Sequence, residues 1–177
     1  QYYQQRMNEI QNQGRTDANN DREAQTQHPV YLDSYRSRNQ EIYNAGRDDA
    51  NVSRPSQSNH SSYRSGFNDR SNELYNNGYR DARNGQPLDP SFSIHYADGH
   101  ADGTEYRIGH QRGLNDQTAG SFHSDRMEGH QDALDEMYDR GYDAGRGDRR
   151  PSSNHSSYRS GYVRGQERRL YVAGEND

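Results

Sequence analysis

Between Tyr63 and Gly78 the apolar and small positions Tyr63, Phe67, Leu74 and Gly78 fall at offsets 0, 4, 11 and 15, and Met127, Leu134, Met137 and Gly141 fall at 0, 7, 10 and 14. Both sets trace one face of a helix and not the two-residue alternation of a strand. Stretches rich in Ser, Asn, Gln, Gly and Pro separate such stripes at 20–30, 51–61, 84–94, 115–124 and 147–157. Pro29, Pro55, Pro87, Pro90 and Pro151 all lie there, where a missing N–H is tolerated, and Ser62, Ser124 and Ser157 precede stripes as N-caps.

The stripes repeat. Gly14, Gly46, Gly78, Gly109, Gly141 and Gly174 follow one another at 32, 32, 31, 32 and 33 residues, closing the phrases EIQNQG, EIYNAG, ELYNNG, TEYRIG, EMYDRG and RLYVAG. A second phrase, Y-x-x-[SG]-[YFH], opens at Tyr31, Tyr63, Tyr96 and Tyr158. A fixed period of this length marks a repeat array, whose units bury their apolar faces only against neighbours. The pattern predicts an all-α fold, an α-solenoid-like helical repeat array with a period of about 32 residues. It spans 1–177 as a single array, with units at 1–19, 31–50, 62–83, 95–114, 125–146 and 158–174. One long helix per unit is favoured over a two-helix hairpin turning near Ser37-Arg38 or Asn68-Asp69, because residues 126–145 carry no turn signal. The loops are long enough for successive helices to be either parallel or antiparallel.

Glycine inside a helix costs about 0.5–1 kcal/mol relative to alanine, so its return at one register points to close helix packing. The six glycines of the period are therefore the candidate seam positions, with Tyr43, Tyr75, Tyr106, Tyr138 and Tyr171 as packing aromatics. Arg6 and Glu9, Arg38 and Glu41, and Arg70 and Glu73 stand at i, i+3 and form a candidate charge ladder.

Composition narrows the chemistry. Only 26% of residues are hydrophobic, which excludes a conventional oily core; 15 Tyr and 3 Phe supply most of the large apolar surface. All 22 basic residues are Arg, interleaved with 27 acidic residues for a net charge of −5, which disfavours a nucleic-acid partner. There is no Cys for disulfides or thiolate metal sites, and no apolar run of the ~20 residues that span a bilayer. The chain begins at Gln1, read here as a product of secretion-signal removal.

Chemical motifs are sparse, and neither catalytic residues nor a cofactor or metal site is expected. Residues 98–105 carry acids and glycines but lack the ligand alternation of an EF-hand, and the histidines follow no zinc spacing. Arg146-Gly147-Asp148 is a short match of no weight. Asn51, Asn59 and Asn154 head N-x-S sequons in expected loops and are candidate sites for covalent glycans.

The phrase Leu74-Tyr75-Asn76-Asn77-Gly78-Tyr79 resembles the first helix of tetratricopeptide-like repeats. That resemblance implies a stacking scaffold and transfers no functional residue. The expected function is a structural, non-enzymatic subunit that self-assembles head to tail, as a homopolymer, into an extracellular filament or fibrous surface coat. The alternative is an extracellular binding scaffold for carbohydrate or protein ligands.

Overall fold

The computed structural model of the protein describes residues 1–174, among which all regular structure is helical. The helices are α1 Tyr2–Asn19, α2 Pro29–Asn51, α3 Ser61–Arg83, α4 Ile94–Leu114, α5 Ser124–Arg146 and α6 Ser156–Gly174. α2 and α3 run unbroken through Ser37-Arg38 and Asn68-Asp69, so each is one helix and not a hairpin. Proline stays out of the interiors, and Pro29 opens α2 at the first turn, where its missing N–H has no intrahelical partner to lose.

Five helices end the same way. Asp21, Ser53, Gly85, Asp116 and Asp148 adopt positive φ, between 54° and 77°. The N–H of each reaches the carbonyl three residues back, and the next N–H reaches five residues back, as in Arg22 N to Asp17 O at 3.0 Å and Arg149 N to Ala144 O at 3.0 Å. This is a Schellman closure, which satisfies the last carbonyls of the helix. Glycine is the cheap residue for that conformation, yet only Gly85 uses it.

The chain forms two compact units, one of residues 1–78 with 88–99 and the other of residues 79–87 with 100 onward. In the first unit, Gly14 faces the backbone of Tyr31, Gly46 that of Tyr63 and Gly66 that of Tyr43, pairing residues 17 and 23 apart. The second unit repeats those separations: Gly109 with Arg126, Gly113 with His130, Gly129 with Tyr106, Gly141 with Tyr158 and Gly161 with Tyr138. Numbers that rise together on both sides of a seam mean that neighbouring helices run parallel.

Contacting residues are about 20 apart in sequence, whereas α3 starts 32 residues after α2 and α6 32 residues after α5, so each of these two helices slides forward by about 12 residues, or ~18 Å. Two such steps match the length of one helix. Within each unit, therefore, a helix begins where the helix before last ends. The core is thin and built from small residues and tyrosines: Ala18, Tyr31, Ala50, Tyr63, Leu74 and Tyr96 in the first unit, and Ala82, Tyr106, Ala133, Met137, Ala144 and Tyr158 in the second. Tyr31 is 1% exposed, and burying a ring of that size contributes about 1.5–3 kcal/mol. This is how a chain so polar closes a core at all.

Candidate functional site

The seams are the most constrained surfaces in the molecule. A Cβ built on Gly46, Gly66, Gly109, Gly129, Gly141 or Gly161 would overlap a carbonyl oxygen of the neighbouring helix; on Gly14 it would stand 2.5 Å from Tyr31 O. No real Cβ sits that close to a backbone atom, so these positions accept only hydrogen. The pairs are reciprocal: Gly141 faces Tyr158 O while Gly161, on the other helix, faces Tyr138 O. Such approaches bring Cα–H groups against carbonyl oxygens, each contact worth about 0.5–1 kcal/mol.

Gly14, Gly46, Gly78, Gly109 and Gly141 are all buried; Gly174 closes α6, and its packing lies outside the described residues. The partner glycines sit in the phrase Y-x-x-[SG]-[YFH], at Gly66, Gly99 and Gly161, with Ser34 at the same place in α2. Ser34 donates its hydroxyl to Gln11 O at 2.6 Å, a side chain small enough to turn a close approach into a hydrogen bond. Gly103, Gly113, Gly145 and Gly165 extend the seams by a further turn. These partners carry no role in the sequence pattern; their recurrence next to the tyrosines was the available signal.

The rings of Tyr43, Tyr75, Tyr106, Tyr138 and Tyr171 grade from inside to outside. Tyr106 is buried and Tyr43 and Tyr75 are half-buried, while Tyr138 is 37% and Tyr171 59% exposed. It is the backbone of Tyr43, Tyr75, Tyr106 and Tyr138 that meets the partner glycine. The tyrosines that open the second phrase, Tyr31, Tyr63, Tyr96 and Tyr158, are all buried, as is Tyr106.

Tyr31 and Tyr63 carry a clamp on a carboxylate. Asp17, 1% exposed, receives Gln13 Nε2 at 3.0 Å and the Tyr31 hydroxyl at 2.9 Å, with Arg22 Nη1 at 3.7 Å. The hydrogen bond from Gln13 is the largest influence holding the Asp17 carboxyl below its ordinary range, with Tyr31 and Arg22 adding to it against burial. Burial pushes the Tyr31 phenol up, helped by the carboxylate. Asp49 repeats the clamp with Tyr63 OH at 2.6 Å and Arg54 Nη1 at 3.4 Å. In both copies the tyrosine oxygen also accepts a loop N–H, from Gln25 at 3.0 Å and from Gln57 at 3.1 Å, tying the returning loop to the helix.

The positive-φ residues explain why glycine is mostly avoided there. Asp21 accepts from the Ser61 N–H at 2.8 Å and from its hydroxyl, capping the start of α3. Asp116 does the same for α6, taking the Ser156 N–H at 3.0 Å, and Ser53 Oγ takes the Ile94 N–H at 2.8 Å. A residue closing one helix thus supplies the N-cap of the helix two further on. Histidine completes the joint. His60 Nδ1 accepts the Ser62 N–H, which leaves the proton on Nε2 to donate to Ala18 O at 2.5 Å; His155, 6% exposed, spans Ser157 N–H and Gly113 O in the same way.

The charge ladder is formed within and between helices. Arg6 to Glu9 (3.1 Å), Arg38 to Glu41 (2.7 Å) and Arg70 to Glu73 (2.9 Å) are i, i+3 pairs, while Arg15 reaches Glu41 at 3.5 Å and Arg47 reaches Glu73 at 2.8 Å across the seam. Hydrogen bonds from Arg47, then Arg70, hold the Glu73 carboxyl at about 2. Asn59 and Asn154 are exposed loop residues, whereas Asn51 is the last residue of α2 and its Oδ1 accepts Arg70 Nε at 2.6 Å.

Among the described residues, one cluster of metal-ligating type forms, in the second unit. His123, the N-cap residue of α5, stands between two carboxylates, with Nε2 3.7 Å from Asp102 and Nδ1 3.5 Å from Asp125. The two acids face opposite ring nitrogens, so the imidazole stands between them at the start of α5. No helix among the described residues is long and apolar enough to cross a membrane.

Compared with known proteins, the chain matches no family model, no curated protein and no solved structure. Its function is therefore argued from its own geometry.

Proposed function

We propose that the protein is a structural subunit that self-assembles head to tail, as a homopolymer, into an extracellular filament or fibrous surface coat. The observation that supports this reading is the recurrence of the seams: neighbouring helices meet in parallel through Tyr/Gly edges, and the residues closing α1, α2 and α4 cap α3, α4 and α6. α6 presents the same edge with its large side chains uncovered, Leu170 64%, Tyr171 59% and Val172 42% exposed. Asp148, at the register of the capping Asp21 and Asp116, pairs with Arg169 at 2.5 Å. A second copy adding a helix beside the exposed residues of α6 makes a heterologous contact, which propagates without closing.

In this reading the protein is a stacking scaffold in the general sense of tetratricopeptide-like arrays, but built from parallel single helices. The shifted groups also fit a structural role rather than an enzymatic one, because Asp17, Tyr31, Tyr63 and Glu73 are each held inside a clamp or ladder of the stack. Exposed Asn59 and Asn154 are the proposed glycan carriers, which an intact-mass measurement on native material checks.

A cleft lined by Tyr142, Arg164, Glu167, Arg168 and Tyr171 favours the second reading, an extracellular scaffold that binds a carbohydrate or protein ligand. Electron microscopy and sedimentation of the purified protein separate the two. Filaments with a constant subunit rise, lost in Tyr171→Asp, are expected for assembly. A monodisperse monomer at high concentration overturns assembly and selects the binding scaffold.

A further inference from the structure

The carboxylate clamp has a further copy, at α5 and α6, in which the carboxylate itself is gone. At the register of Gln13, Asp17, Arg22, Gln25 and Tyr31, α5 and the start of α6 carry Arg140, Ala144, Arg149, Ser152 and Tyr158, with Arg149 and Ser152 in the loop between them. Every donor of the clamp is kept or strengthened: Gln13 becomes Arg140, Arg149 replaces Arg22, and Tyr158 still accepts the loop N–H, now from Ser152 at 3.2 Å. Only Asp17 is lost, replaced by Ala144, which is buried.

The change leaves a cleft of about 430 Å³ lined by Arg140, Asp143, Ala144, Arg149, Arg150, Ser152 and Tyr158. Arg149 and Arg150 make no ion pair among the described residues, and Arg140 holds Glu136 at 3.4 Å with its side chain 63% exposed. Asp143 is exposed and offsets only part of the charge of three arginines. Tyr158 is drawn below its ordinary value, by hydrogen bonds from Ser152 first and by Arg149 and Arg140 after them, whereas Tyr31 and Tyr63 are pushed up by burial first and by their aspartates after it.

We propose that this cleft binds an external carboxylate, which takes the place that the Asp17 and Asp49 side chains fill in the earlier clamps. Arg149 and Arg140 supply charge-assisted hydrogen bonds, and the Ser152 and Tyr158 hydroxyls orient the second oxygen. The cleft is larger than the missing CH₂–COO⁻ group, so it admits a carboxylate carried on a bigger body, either a free sugar acid or the acidic side chain of another chain. This site does not depend on the proposed assembly.

The test is thermal melting with acetate, glucuronate or a blocked aspartate dipeptide, each at the ionic strength of a chloride control so that screening is constant. A ligand that binds only the folded state raises the midpoint in proportion to occupancy. Each carboxylate is expected to raise the midpoint beyond chloride by about 3 °C or more at saturation. Ala144→Asp should melt higher without ligand and gain nothing further from acetate, and Arg149→Gln should weaken half-saturation at least about tenfold. Stronger binding of glucuronate assigns a free acid, and stronger binding of the dipeptide assigns a protein side chain; both support the site. A carboxylate effect no larger than chloride, or one undiminished in both Ala144→Asp and Arg149→Gln, overturns it.

Discussion

Replacing Gly46 by alanine sets two effects of opposite sign against each other. By helix propensity alone, alanine is more stable than glycine by about 1 kcal/mol. At the seam its Cβ would collide with Tyr63 O and lie 2.9 Å from Phe67 N, both backbone atoms that no rotamer change can move. To restore ordinary contact the two helices must separate by on the order of 1 Å, and overpacking of this kind costs typically about 1–3 kcal/mol. Because only backbone can yield, the upper end applies, and the net destabilisation is about 2 kcal/mol. For a chain of this length that lowers the melting midpoint by about 4–8 °C, read by circular dichroism at the helix band. Gly66→Ala, on the facing helix, should cost a similar amount, and the double variant less than the sum, since one separation relieves both collisions. Asn76→Ala, at an exposed helical position, is the control and should be neutral or slightly stabilising. If Gly46→Ala melts at or above the parent, the seam geometry is wrong.

Two further outcomes follow from the joints and the clamps. His155→Ala strands Gly113 O and Ser157 N–H in a buried joint and should cost about 2 kcal/mol by urea denaturation; an unchanged midpoint would refute the latch. Stability should also fall at both ends of the pH scale. Asp17, Asp21, Glu41, Glu73 and Asp116 have carboxyls held low, so their contribution is present above about pH 4 and lost as pH falls toward the Glu73 value of about 2. Tyr31, Tyr63, Tyr79 and Tyr106 have raised phenols, so theirs is present below about pH 10 and lost as pH rises through the folded values, about 12 for Tyr106. Parallel melting and tyrosinate absorbance measurements check this, and a flat profile from pH 10 to 12 would contradict it.

The helices, their places along the chain and the recurring glycines are legible in the residues alone, because helical periodicity, proline placement and the cost of helical glycine are local matters. Gly14 and Gly46 announce a close approach by returning where glycine is costly. What they approach is not local. That the oxygen of Tyr63 lies over Gly46, and that Gly66 answers with Tyr43, depends on two helices running parallel with a forward slide, and the loops were long enough for either direction. The slide in turn places Asp21 at the start of α3 and Asp116 at the start of α6, caps across some 40 residues that no short-range pattern shows. The empty clamp at Ala144 is visible in sequence only as one more alanine. It becomes a site once the fold brings Arg140, Arg149 and Tyr158 around the place where, in two other copies, a carboxylate sits.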